Sequence, residues 1–340
     1  MALESFPAKS LSADQLAEIE EFLDSQEAGH PFQFPQWQGV RSIAMILRMG
    51  GRICWYGSFG VQSPLGRSVP WIRGLIANRG PVCDDGELWN AAAEELAEKM
   101  RRERLTFLDV SPEWICESEQ DRAQLENNSV WDRVGLPRIS LRLDLRKSDD
   151  EILAGFRKNS RYEVRRAERA GTQVSAAATE TEVEDFLRLY RSTAERKGFR
   201  ANSSKEVRRI VRWLTSEPSR GALLVARADG TICGGAVIAR AGRRCWYVWG
   251  ASGKQQHSAP GHILQWKALQ WAKAHGCTEY DFGGYTQGAI SGPAWFKEGF
   301  GGSVVHLTPV HRRVTEIRRY RVLQALSRIR AFMIGRISKE

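Results

Sequence analysis

Residues 222–250, ALLVARADGTICGGAVIARAGRRCWYVWG, hold three short apolar segments joined at Asp229-Gly230 and Ala241-Gly242. An Asp-Gly pair tolerates the left-handed backbone that a two-residue hairpin turn requires, so the run predicts a three-stranded antiparallel meander. A sheet of this kind needs cover on its apolar face, and the flanking sequence supplies helices. Ser148-Asp-Asp-Glu151 is a capping box and Gly171 a natural helix terminator, which predicts one long helix over 149–170. Thr181-Glu-Val-Glu184 opens a second helix that Gly198 closes. After the meander a helix is expected from Gly261 to His275, stopped by Gly276. A strand near 278–282, a glycine-rich segment and a strand near 304–310 follow it. Just before the first helix, Ile139, Leu141, Leu143 and Leu145 alternate with Ser140, Arg142 and Asp144, the pattern of a strand with one buried face.

Helix, helix, three strands, helix, strand, strand is an order that resembles the N-acetyltransferase (GNAT) fold. The first half repeats it less clearly. Ser12-Ala-Asp-Gln15 is a capping box with Leu11 and Leu16 as its staple, predicting a helix over 13–27 that His30-Pro31 ends. Apolar segments at 43–48, 53–59, 69–76 and 105–110, with a helix over 86–103, complete a mixed pattern. A chain of 340 residues with 42% hydrophobic content can bury two cores. The fold class expected is therefore α/β (α+β) with two GNAT-like domains: residues 1–140, completed by a C-terminal helix over 311–340, and residues 141–310. Within that helix, the stretch 312–337 is basic, with Val314, Ile317, Leu323, Leu326 and Ile329 as its apolar positions. It is expected to pack back on the body, with contact to a membrane surface as the alternative. No apolar run approaches the roughly 20 residues needed to span a bilayer. The start, MALESFPAKSLSADQ, lacks a signal-peptide pattern, so a cytoplasmic location is expected, with peripheral contact at the inner face of the membrane as its extension.

The six cysteines are scattered without a CxxC pair, and the six histidines show no HExxH or HxxxH spacing. Neither a disulfide framework nor a metal site is indicated, and the cysteines are expected to be small buried residues. The formal charge of +10 favours an anionic partner. It is concentrated where Arg157, Arg161, Arg165 and Arg169 recur every fourth residue, with Lys158 and Arg166 beside them. Like charges at that spacing cost about 0.2–0.5 kcal/mol per pair unless Glu163, Glu168 or an external anion compensates. In WFKEGFGG, 295–302, Lys297 precedes glycines that allow tight turns close to a ligand. An ammonium held there would stabilise charge developing on a carbonyl oxygen, or hold a phosphate. The nearest match to a coenzyme A pyrophosphate loop, Gln256-His-Ser-Ala-Pro-Gly261, is degraded by Ala259 and by Pro260, which lacks an N–H donor. No cofactor is expected.

Three segments resemble the FemABX family, which transfers amino acids from aminoacyl-tRNA to peptidoglycan precursor peptides. They are FRKNSRYEVRRAERAG at 156–171, YRSTAERKGF at 190–199, and the stretch from Tyr247 to Gly302 that contains GHILQWKALQWAKAHGCTEYDFGG and FKEGFGG. The resemblance implies a pair of GNAT-like domains in a compact form, without the inserted coiled-coil helices of the staphylococcal members. It implies an aminoacyl-tRNA donor and, as acceptor, an amine such as that of lipid II or UDP-MurNAc-pentapeptide. By motif position it implies a catalytic role for Lys297, acceptor binding by Arg196, Tyr247 and Trp249, and tRNA binding by Arg157, Lys158, Arg161, Arg165 and Arg169. An acyl-coenzyme A-dependent N-acyltransferase, serving exopolysaccharide or small-metabolite synthesis, and a non-catalytic nucleic-acid-binding protein are the alternatives.

Overall fold

The computed structural model describes residues 3–39, 41–66, 69–83, 86–116, 132–134, 138–253, 260–288 and 292–337. The chain divides into two compact units, residues 1–137 with 306–340, and residues 138–305. Unit 1 begins with β1 (Glu4–Pro7), α1 (Ala13–Ser25), α2 (Pro35–Gln38), β2 (Ser42–Met49), β3 (Arg52–Gln62), β4 (Gly74–Ala77), α3 (Gly86–Arg102), β5 (Phe107–Val110) and β6 (Asp132–Arg133). Unit 2 opens with β7 (Arg138–Asp144), α4 (Asp149–Gly155), α5 (Lys158–Arg169), β8 (Gln173–Ala176), α6 (Glu180–Lys197) and α7 (Ser204–Ser216). It continues through β9 (Gly221–Ala228), β10 (Thr231–Ala241), β11 (Arg244–Ser252), α8 (Pro260–Ala274), β12 (Glu279–Gly284), α9 (Gly292–Glu298) and β13 (Ser303–Leu307). Two elements then return to unit 1, β14 (His311–Val314) and α10 (Ile317–Ile337).

Each unit is built on one seven-stranded sheet, ordered β1-β2-β3-β4-β5-β14-β6 in unit 1 and β8-β9-β10-β11-β12-β7-β13 in unit 2. In both, four antiparallel strands lead to a parallel pair whose crossover contains a helix, α3 for β4–β5 and α8 for β11–β12. An antiparallel strand follows on the far side, β14 in unit 1 and β7 in unit 2, and one further strand lies beyond it, β6 and β13. This is the mixed α/β, GNAT-like arrangement that the element order pointed to. The meander forms as its turn chemistry requires: Asp229 and Gly230 both take positive φ, 51° and 75°. The capping box at Ser12 is closed in both directions, as is the one at Ser148.

Several expectations need correction. The helix expected over 149–170 is two helices, because Phe156 leaves helical geometry (ψ 153°). That turn seats its ring in the core, edge-on to Phe300 at 5.1 Å and to Trp266 at 5.8 Å. The next helix is capped by Thr179, whose hydroxyl accepts the Glu182 N–H, and not by Thr181. Helices α7 and α9 and strand β8 were not foreseen, and residues 311–314 form a strand rather than the start of the last helix. Along α10 Leu323 is buried, but Ile317 and Ile329 are 55% and 54% exposed, so the packing expected of them does not occur.

The core of unit 2 lies between the sheet and α8, where Leu224, Ile238, Tyr280 and Phe282 meet Ile263, Leu264, Trp266 and Leu269. Five of the six cysteines are buried and Cys54 is half-buried. At the end of the glycine-rich segment Gly302 holds φ at 103°, and a Cβ there would lie 2.5 Å from the Arg142 carbonyl oxygen. Both the dihedral and the close approach exclude a side chain. Gly302→Ala is therefore expected to destabilise the protein by about 1–3 kcal/mol in urea unfolding; an unchanged midpoint would show that the segment relaxes freely.

Candidate functional site

The ladder between β11 and β12 is three residue pairs long, Arg244 with Glu279, Cys245 with Tyr280 and Trp246 with Asp281. Beyond it β11 runs on through Tyr247 to Ser252, and β12 through Phe282 to Gly284. Both strands are irregular at the fork. Val237 and Ile238 of β10 face Trp249 and Tyr247, so Val248 is an extra residue that bulges β11. On β12 the register with β7 shifts between Asp281 and Gly284. Bulges re-aim side chains and end strand pairing, and they recur beside active sites. Two parallel strands that part in this way leave main-chain donors and acceptors along a cleft, where an extended ligand can pair with them.

Asp281 marks the point of parting. It is 1% exposed and accepts hydrogen bonds from Arg142 Nε at 2.9 Å, from the Gly283 N–H at 2.7 Å and from the Ser140 hydroxyl. Ser140 and Arg142 occupy the strand face that the alternation marked as polar, yet both are buried. Ser140 and Arg142 are far from Asp281 in sequence, and no local pattern joins them to it.

Lys297 lies on α9, a short helix where the sequence suggested turns. Its Nζ donates to the Gly284 carbonyl, 2.7 Å away, at the last residue of β12. Burial pushes its ammonium down to about 8, with the Asp281 carboxylate pulling the other way. The helix is pinned on either side of Lys297. Glu298 accepts hydrogen bonds from the Tyr285 hydroxyl and from Arg157, which together hold its carboxyl below the usual range. The Arg157 guanidinium also covers the Trp295 ring, 3.8 Å from its centroid. Beneath, Phe296 and Phe300 meet edge to face at 5.1 Å, and His262 of α8 packs on both. Burial lowers the His262 pKa, opposed by Glu163. At Gly299 a Cβ would lie 2.3 Å from the Ser160 Oγ, so a side chain there would drive α9 away from α5.

The other residues predicted for the site fall into two groups. Arg196, Tyr247 and Trp249 sit along the far strand of the fork. Arg196 donates to the Ser252 carbonyl at 2.8 Å, and Trp249 meets the Tyr190 ring at 6.4 Å. Tyr247 folds along its own strand: a Cβ on Gly250 would lie 1.7 Å from its hydroxyl, and burial pushes the phenol up to about 12. The arginine ladder divides. Arg157 belongs to the α9 network, and Arg161 donates to the carbonyls of Ala154 (2.6 Å) and Phe156, capping the end of α4. Lys158, Arg165 and Arg169 are exposed. The degraded pyrophosphate loop is outside the described residues over 256–259. Among the described residues no cluster of metal-ligating side chains occurs, and no helix is long and apolar enough to cross a membrane.

Comparison with known proteins finds relatives of this arrangement. Residues 154–297, which contain the fork, α5 and Lys297, match the family model described as Acetyltransferase (GNAT) domain. Over 223 residues, the chain is 26% identical to the UDP-N-acetylmuramoylpentapeptide-lysine N(6)-alanyltransferase of Weissella viridescens, covering 61% of this chain and 65% of that protein. It is 23% identical over 353 residues to the lipid II:glycine glycyltransferase of Staphylococcus aureus (strain MRSA252), covering 78% and 82%. The crystal structure of FemX superposes with a TM-score of 0.80 over 94% of this chain and 99% of that chain, at 18% identity. These similarities support the FemABX resemblance read from the sequence. The fold also extends to a tandem GNAT protein from the clavulanic acid biosynthesis pathway, at a TM-score of 0.55 and 12% identity. The matched domain model and the two named relatives are all of acyl-transferring proteins.

The depressed lysine carries a testable signature. Between pH about 8 and the ordinary lysine value near 10.4, the unfolded chain keeps a proton that folded Lys297 has released. Stability should therefore rise with pH across that window, while the full cost of burying the ammonium remains below it. Lys297→Met is expected to flatten this rise in urea unfolding at alkaline pH and to stabilise the protein at neutral pH. Equal slopes for the two proteins would rule the burial effect out.

Proposed function

We propose that this protein is an aminoacyltransferase that moves an aminoacyl group from an aminoacyl-tRNA to an amine of a peptidoglycan precursor, of the lipid II or UDP-MurNAc-pentapeptide kind. The relatives' names supply the acceptor class. The observation that carries the reading is Lys297, a half-buried ammonium tied to the last carbonyl of β12 at the mouth of the fork.

In this reading the acyl group lies between β11 and β12, against the main chain of Tyr247–Gly250. The acceptor amine attacks the ester carbonyl and a C–N bond forms. The bond to the ribose oxygen breaks, and that oxygen leaves with the proton that the amine gives up. The ester is activated before it arrives, so proximity and charge stabilisation supply most of the rate. Lys297 faces the developing oxyanion, where a cation in a partly desolvated site acts more strongly than in water. Arg196, Tyr247 and Trp249 border the acceptor. The exposed Lys158, Arg165 and Arg169 meet the acceptor stem of the tRNA, whereas Arg157 and Arg161 support the site from beneath.

Transfer of radiolabel from a mixed pool of charged tRNAs to precursor, with acetyl-coenzyme A run in parallel, tests the reaction class. Label passing only from the acetyl donor would replace the donor in this reading. Within the assay, Lys297→Ala is expected to lower kcat by about 10²–10³ with little change in KM, and retained turnover would remove the lysine from the chemistry. Arg165→Ala with Arg169→Ala should weaken tRNA binding and make its log–log salt slope shallower by about one for each phosphate left unneutralised. Arg161→Ala should instead lower the melting temperature.

A further inference from the structure

Among its described residues, helix α10 buries one side chain in the fold and leaves a broad face open. Leu323 joins Ile72 and Phe107, with Tyr320 packed beside it. On the other side two adjacent rows are exposed, Ile317, Arg321, Ala325 and Arg328 in one and Arg318, Val322 and Ile329 in the other. They span an arc of about 140° at 3.6 residues per turn. Ile317 and Ile329 are more than half exposed and Val322 is 39% exposed. Branched aliphatics on a lone surface helix contribute nothing to stability while they face water.

The charges on that face are equally unexplained by folding. Arg318, Arg319 and Arg321 crowd the N-terminal end of α10, and no acidic residue lies in its first turn. Cations at the positive end of a helix dipole are unfavourable, whereas an anion there is stabilised. One of the three is used internally: Arg319 donates to the carbonyls of Arg104 (2.7 Å) and Trp71 (3.3 Å). That hydrogen bond brings Trp71, itself 47% exposed, beside the helix. A tryptophan with an open ring, interleaved aliphatics and arginines are the composition of a helix lying in a membrane interface. There the apolar side chains enter the acyl boundary and the guanidinium groups meet lipid phosphates.

We propose that α10 and Trp71 form a docking surface for an anionic lipid bilayer, with the helix axis parallel to the membrane plane. Interleaving favours this occupant over a nucleic acid, whose phosphates would use Arg318, Arg321 and Arg328 but leave Ile317, Val322 and Ile329 in water. The surface belongs to unit 1 and is independent of the transfer chemistry.

Co-sedimentation of the full chain with vesicles of phosphatidylcholine alone, or of an equimolar mixture with phosphatidylglycerol, tests the proposal. The wild type should pellet with the mixed vesicles and stay in solution with the neutral ones. Each arginine near an anionic surface contributes about fivefold to partition, so Arg318→Glu, Arg321→Glu and Arg328→Glu together should reduce it by about a hundredfold or more. Val322→Asn with Ile329→Asn should weaken binding to the same vesicles without changing the net positive charge of the arginine rows. All five positions are exposed, and an unchanged melting temperature would confirm that the variants fold. Three results would overturn the proposal: failure of the wild type to bind mixed vesicles, equal binding by the arginine variant, or a tRNA duplex that competes fully for the surface and is insensitive to the asparagine substitutions.

Discussion

Asp281 and Arg142 are register partners on β12 and β7, and their carboxylate and guanidinium meet in the core with almost no exposure. The remainder of the site is referred to this pair. Removing one partner would leave a buried charge without compensation, a loss of about 3–5 kcal/mol. The same carboxylate draws in the Gly283 N–H within the irregular stretch of β12, and the Gly284 carbonyl that follows accepts from Lys297. A strand that precedes every helix of unit 2 thus sets the position of a lysine on its last one. The Glu298 network holds α9 from the other side, so Lys297 is located by two separate sets of interactions.

The arginines show how charge in a sequence divides on folding. The four-residue spacing suggested a single anion-binding face. Phe156 breaks the helix ahead of Arg157 because an aromatic ring is worth more in the core than one continued helical turn. The break exposes the carbonyls of Ala154 and Phe156, which Arg161 satisfies, and it swings Arg157 onto Glu298 and Trp295. Two of the arginines become structural and two stay on the surface.

What the sequence made legible was local. Capping boxes at Ser12 and Ser148, the Asp229-Gly230 turn and the stop at Gly198 are each decided by a few neighbouring residues, and each formed. The meander and crossover helix followed from periodicity, and the GNAT-like arrangement followed from their order. Lys297 was visible because an aromatic pair and three glycines surround it. Its depressed pKa was not, because burial depends on which elements close over it. Ser140 and Arg142 lie at positions that alternation assigns to solvent, and only β12 and β13, paired to either side of β7, explain why they are inside. Local sequence does not distinguish Thr179 from Thr181 as the cap, because each stands three residues before a glutamate.

Unit 2 is spliced into unit 1, since β14 lies between β5 and β6 although it follows them in the chain by the whole length of the second unit. A ribosome therefore releases every strand of the sheet that holds the fork before it releases the strand that completes the sheet of unit 1. Until residue 314 emerges, β5 has one open edge and Asp109 lacks the guanidinium of Arg312 that grips it at 2.6 Å. The half of the molecule that is made first is the half that finishes last, and a nascent chain must guard that edge while the rest is synthesised.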